Sequence, residues 1–155
     1  MVTRDGLPIK ILYADDDGDD HLFFREALKE TKSDAELKIV NNGHELMEYL
    51  AQADGQLPDV IFLDIKMPRK NGKECLQEIR SNNLFNHIPV IMFSTSAHEK
   101  DIEESFQNGA NLYVSKPVFF NDEVRILKKI FSLNWQEDLL KPDRKGFVLY
   151  SGTLK

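Results

Sequence analysis

The chain has 155 residues, enough for one domain with a sizeable core but not for two. Its hydrophobic fraction of 41% is ordinary for a globular protein, and a net charge of −6 with no basic run argues against nucleic acid as a partner. Cys75 is the single cysteine, which rules out an intramolecular disulfide; no stretch reaches the length of a membrane span, and residues 1–8 lack a signal-peptide core, so a cytoplasmic protein is expected.

In chain order, short apolar runs alternate with helical patterns. Ile9 to Ala14 reads as a strand that ends at a block of aspartates. A helix follows over His21 to Glu30, with Leu22, Phe23, Ala27 and Leu28 at helical spacing. Leu37 to Val40 is a second strand, and Gly43 opens a helix that fades at Asp54-Gly55. Val60 to Leu63 is continuously apolar, as a strand covered on both faces should be. After the Pro68 to Gly72 turn, Cys75, Leu76 and Ile79 mark a third helix, on which Cys75 is expected to be a small buried residue. Pro89 leads into the apolar strand Val90 to Phe93, and a polar helix over His98 to Asn108 ends at Gly109, a suitable cap. Leu112 to Val114 is the fifth strand, and Val124, Leu127, Ile130 and Phe131 line a last helix ending near Leu133.

Five strands alternating with five helices predict an α/β fold, an open parallel sheet with helices on both faces. Such sheets bind ligands beyond the carboxyl ends of their strands. The polar residues directly after the strands are therefore the candidate site: Asp15 and Asp16 after the first, Asp64 after the third, Ser94 after the fourth and Lys116 after the fifth. Three carboxylates gathered at one point repel each other and need a cation. With oxygen ligands only, that cation should be hard, Mg²⁺ or Mn²⁺. Asp64, on the central strand, is placed to act as a nucleophile toward a phosphoryl group. Lys116 and Ser94 offer a positive charge and a hydroxyl to phosphoryl oxygens.

Plainer readings compete for the same residues. The run from Asp15 to Asp20 can be a solvated helix-capping charge cluster, which suits Asp17, Asp19 and Asp20. A calcium loop fails because Asp20 stands where the sharp turn needs glycine. A haloacid-dehalogenase-type phosphatase would use Asp15 as nucleophile and Asp17 as acid/base, but Asp19 replaces the small or hydroxyl residue expected next. Lys116 can be a surface lysine before a proline, and Tyr113 can be a packing residue of its strand. His21, His44, His87 and His98 lack metal-like spacing.

Taken together, ILYADDD, LDIKMPRKNG, PVIMFS and YVSKP, in this order over about Ile9 to Ser132, resemble the receiver domains of two-component response regulators. Chemotaxis-regulator-like single-domain members, such as those associated with phytochromes, are the nearest type. The resemblance implies a flavodoxin-like sheet in the order 2-1-3-4-5. It makes Asp64 the phosphoacceptor, with Asp16 binding Mg²⁺ directly and Asp15 directly or through water. It gives the metal the backbone carbonyl of Lys66 and the phosphoryl group the side chain of Lys116. Pro117 would follow a cis peptide bond, and Ser94 and Tyr113 would be the switch pair that alters the surface of helix 4, strand 5 and helix 5. A histidine kinase or histidine phosphotransfer protein is implied as donor and a downstream protein as target, the chain being a phosphoacceptor rather than an enzyme. Lys66 departs from the family pattern as a cation two residues past the acceptor.

Residues 1–133 are expected to form the receiver and 134–155 a C-terminal extension too short for an output domain. Trp135, Leu139, Leu140 and the run Phe147 to Tyr150 are too apolar for an indifferent linker. The extension either folds back on its own domain or reaches a second copy as a dimer arm.

Overall fold

Alternating strands and helices assemble here into one parallel sheet sandwiched between two helical layers. The computed structural model describes residues 7–133 and 143–153. In chain order the elements are β1 (Lys10–Ala14), α1 (Gly18–Glu30), β2 (Glu36–Val40), α2 (Gly43–Ala51), β3 (Val60–Leu63) and α3 (Gly72–Ser81). They continue as β4 (Val90–Ser94), α4 (Glu99–Gln107), β5 (Leu112–Ser115), α5 (Phe120–Ser132) and a short β6 (Val148–Leu149). The strand order is β2-β1-β3-β4-β5-β6, and every pairing is parallel.

The period-two alternation of a strand divides the core. On β3, Ile61 and Leu63 face a cluster with Leu46, Leu76 and Ile79 from α2 and α3, while Val60 and Phe62 face Phe24 of α1 and Ile126 and Leu127 of α5. All four β3 residues are fully buried, which is why the run carries no polar residue. Cys75 lies in the first cluster, and burial pushes its thiol up to about 12, so it packs as a small apolar group.

Helix starts follow their capping residues. Asp17 accepts hydrogen bonds from the backbone N–H groups of Asp19 and Asp20, so α1 begins at Gly18, three residues before the expected start at His21. Asn71 and Glu74 form a reciprocal capping box on α3. Gly109 adopts φ +95° just after α4, the left-handed conformation expected of that glycine. Gly72 answers to space instead: a Cβ there would lie 2.1 Å from the Asp64 carbonyl oxygen, so only glycine lets the loop after β3 close back on Asp64.

The sixth strand is an addition to the five expected. Val148 and Leu149 pair with Tyr113 and Val114 of β5. Phe147 is almost fully buried against Phe106 of α4 and Tyr113, with ring centroids 5.1 and 6.3 Å apart. Arg144 pairs with Glu99 and Glu103 of α4 at 2.5 and 3.1 Å. A two-residue strand has too little pattern to be seen in sequence. Trp135, Leu139 and Leu140 lie outside the described residues.

Candidate functional site

The strands β1, β3 and β5 all point their carboxyl ends to the same end of the sheet, and the polar residues that follow them converge there. One carboxylate oxygen from each of Asp15, Asp16 and Asp64 lies within 4.8 Å of the others, the one group of this kind among the described residues. Asp15 is fully buried, Asp64 nearly so, and Asp16 is exposed. The register of the parallel pairs explains the convergence, since Ala14 aligns with Leu63 and sends the next residue of each strand out together.

Lys116 fills the space between the strands. Its Nζ, on a side chain only 5% exposed, stands 2.5 Å from Asp15 Oδ2, 2.9 Å from Asp20 Oδ2 and 3.5 Å from Asp64 Oδ2. Burial works against this ammonium, but Asp64 and Asp15 outweigh it and hold it above the ordinary lysine range. Burial likewise pushes the Asp64 carboxyl up to about 6; Lys116 draws it down and Asp15 pushes it further up. The Asp64 Oδ1 atom accepts the Ile65 backbone N–H at 2.8 Å, which fixes the rotation of the carboxylate.

Asp15 is engaged on both oxygens. Tyr13, two residues earlier and on the same side of β1, donates its hydroxyl to Oδ2 at 2.6 Å, while the Asp17 N–H donates to Oδ1 at 2.9 Å. Burial first, and then the Asp15 charge, holds the Tyr13 phenol far above its ordinary range, so it acts only as a donor. Nearby on α5, Glu123 is buried, and its Oε2 has no hydrogen-bond partner among the described residues. Burial and Asp20 push this carboxyl up to about 7, against the pull of Lys116.

Ser94 ends β4 buried, whereas its neighbour Thr95 is exposed, so Ser94 is the hydroxyl that points inward. Its Oγ accepts the Ser96 N–H at 3.2 Å, and Tyr113 donates its hydroxyl to the Ser96 carbonyl at 2.9 Å. Ser94 and Tyr113 are thus joined through one residue. Lys66 has an exposed side chain beside the site.

One expectation is corrected. No peptide bond among the described residues is cis, so the Lys116–Pro117 bond is trans. Trans is the lower-energy isomer by roughly 0.5–1 kcal/mol for a bond before proline. Val118 and Phe119, which follow, are 83% and 71% exposed and supply no packing to overturn that preference.

Comparison with known proteins decides the family. The model of the response regulator receiver domain matches residues 11–130. This chain belongs to the response regulator receiver family. Response regulator Rcp1 of Synechocystis sp. is 32% identical to this receiver over 146 residues, covering 92% of it and 99% of Rcp1. Among solved structures, the phosphorylated cyanobacterial phytochrome response regulator RcpA is 35% identical with a TM-score of 0.74, covering 79% of this chain and 91% of RcpA. The Mn²⁺-bound form of Rcp1 is 32% identical, also at 0.74, covering 88% and 100%. The receiver fold is the flavodoxin-like one expected, with β6 a minor addition.

The phosphatase alternative finds no support, and Asp15, buried with both oxygens accepting hydrogen bonds, is poorly placed to be a nucleophile. Sequence reasoning left three residues of this receiver's site unassigned. Tyr13 lies within the strand read over Ile9 to Ala14, Asp20 reads as a helix-capping charge, and Glu123 draws no reading of its own. Only the equal placement of residues 13 and 15 on one face of β1 could have pointed to Tyr13. No helix among the described residues is long and apolar enough to cross a membrane.

Proposed function

We propose that this receiver takes a phosphoryl group from a histidine kinase or histidine phosphotransfer protein onto Asp64, in a Mg²⁺-dependent reaction. What carries the reading is the meeting of the Asp15, Asp16 and Asp64 oxygens within 4.8 Å, with the Lys116 ammonium 3.5 Å from the acceptor. Oxygen donors alone, carrying three formal negative charges, fit a hard divalent ion, and Mn²⁺ would serve as well. Asp15, Asp16 and Asp64, with the backbone carbonyl of Lys66, would hold it. When bound, the ion offsets charge on the carboxylates and on the entering phosphoryl oxygens.

The side chains divide the remaining work. Asp64, its carboxylate held by the Ile65 N–H, attacks phosphorus in line with the leaving group. Lys116 moves from the carboxylates to a phosphoryl oxygen. Ser94 donates its hydroxyl to another, and Tyr113, tied to the Ser96 carbonyl, follows and alters the face of α4, β5 and α5 that a downstream protein reads. The chain is a phosphoacceptor that assists its own phosphorylation and hydrolysis, and we place it in the cytoplasm, where its donors act. Relatives named as phytochrome response regulators make a photoreceptor kinase the donor class of choice.

The receiver occupies residues 1–133 in this reading and the extension 134–155. A second copy joined through the extension is a further partner, and an intact chain that stays monomeric at high concentration would remove it.

The central test is intact mass after incubation with acetyl phosphate and Mg²⁺. One phosphoryl adduct that needs the metal and is lost in Asp64→Asn is expected. An adduct persisting in Asp64→Asn would overturn the assignment.

A further inference from the structure

Lys116 is held by more carboxylates than its reaction needs. An ammonium has three N–H donors, and here they face Asp15, Asp20 and Asp64. The acceptor is the farthest of the three, at 3.5 Å, and Asp20 of α1 is closer, at 2.9 Å. A phosphoryl group arriving on Asp64 can gain the lysine only by taking a donor from one of these partners. The Asp15 side chain is 0% exposed, but the metal ion it would hold takes the place of the lysine there, which leaves Asp20 as the remaining competitor. The Asp20 side chain is 33% exposed, so water can replace the lysine at little cost. Asp20 is therefore the partner that yields. The Glu123 carboxyl, buried and without a hydrogen bond to Oε2, adds a second acidic group on the same side.

We propose that Asp20 is a positioning residue that draws the Lys116 ammonium toward α1 and away from Asp64, competing with the incoming phosphoryl group and slowing phosphorylation. This rests on Asp64 being the phosphoacceptor. In the step concerned, the bond between phosphorus and the acetate oxygen of acetyl phosphate breaks, and the electron pair leaves with acetate. A carboxylate oxygen of Asp64 forms the new bond to phosphorus, and Lys116 passes from Asp20 to a phosphoryl oxygen. Once the phosphoryl group is bound, Asp20 has let go, so hydrolysis is indifferent to it.

Asp19 supplies the control. It carries the same charge in the same first helical turn, and its backbone N–H likewise bonds Asp17, but its carboxylate makes no ion pair among the described residues. The wild-type chain, Asp20→Asn, Asp20→Glu and Asp19→Asn are each phosphorylated with acetyl phosphate and Mg²⁺, and the adduct is then followed as it hydrolyses after donor removal. Asp20→Asn should be phosphorylated about fivefold faster, the size of one partly screened ion pair. Its hydrolysis should stay within about twofold of wild type, and Asp20→Glu should return toward the wild-type rate. Asp19→Asn should change neither. In metal-free, unphosphorylated protein, the ¹⁵Nζ resonance of Lys116 should move in Asp20→Asn and hold in Asp19→Asn. Equal acceleration in both Asn variants would reduce the effect to net charge and overturn the proposal. So would matched changes in phosphorylation and hydrolysis accompanied by a lower Tm. If Asp64→Asn keeps its adduct, the phosphoacceptor reading fails instead, and an unmoved Lys116 resonance still refutes the anchor.

Discussion

Replacing Asp64 with asparagine should make the metal-free protein more stable at neutral pH, although it removes the proposed acceptor. The Asp64 carboxyl is pushed from an ordinary 3.8 up to about 6, chiefly by burial. A carboxyl raised on folding contributes stability that is complete below its unfolded value and is lost as pH rises through its folded value. The gap of about two pH units, at ~1.4 kcal/mol each, corresponds to about 3 kcal/mol. Asparagine has no proton to lose and so escapes the penalty. Part of the gain is offset because the variant also loses the 3.5 Å contact to Lys116, while that lysine keeps Asp15 and Asp20. The net advantage should be roughly 1–3 kcal/mol above pH 7 and close to zero near pH 4. Urea unfolding of both proteins in EDTA, from pH 4 to 8, measures it. The difference should open between pH 4 and 6. A constant difference across that range, or a less stable Asp64→Asn at pH 7.5, would refute the reasoning.

Three further substitutions test other parts of the structure. Lys66→Ala should change the rate of dephosphorylation about threefold while leaving phosphorylation intact, because an exposed cation beside the phosphoryl group tunes it through one screened charge; an unchanged adduct lifetime would remove that role. Gly72→Ala should lower Tm and phosphorylation together, since the new Cβ meets the Asp64 carbonyl at 2.1 Å and moves the acceptor itself; normal phosphorylation in the variant would show that the loop yields elsewhere. Arg80→Ala should cost about 3 kcal/mol in urea unfolding, because Gly109 O, Ile88 O and Asn111 Oδ1 lose their guanidinium donors in a part-buried setting. A loss below about 1 kcal/mol would mean that water replaces them all.

The sheet was largely legible because its central strands are buried on both faces and read as unbroken apolar runs bounded by turn residues. The main polar residues of the site were legible for a related reason: they follow those runs immediately, so locating a strand locates its end. What remained hidden depends on pairings distant in sequence. Asp20 and Lys116 lie 96 positions apart, and nothing local tells Asp20 from Asp19. Arg80 looks like a surface residue at the end of a helix, but it bridges the α4–β5 turn and the loop before β4. Glu123 carries no sign in the sequence of its burial on α5. The bond before Pro117 keeps the ordinary trans preference, against what the resemblance implied.

The two borders of the sheet are finished differently. β2 shows alternating exposed residues, with Glu36 and Lys38 on its outer strand, and charge of this kind discourages another chain from adding itself. β5 is almost wholly apolar and has no such guard of its own; β6 covers it, taking up the Tyr113 N–H through the Phe147 carbonyl at 2.9 Å. The last eleven described residues thus act as a selvedge. Without them the β5 ladder would face solvent beside bared Tyr113 and Phe106 rings, and a shortened chain would be prone to stick to its neighbours at high concentration, whatever the state of its phosphorylation site.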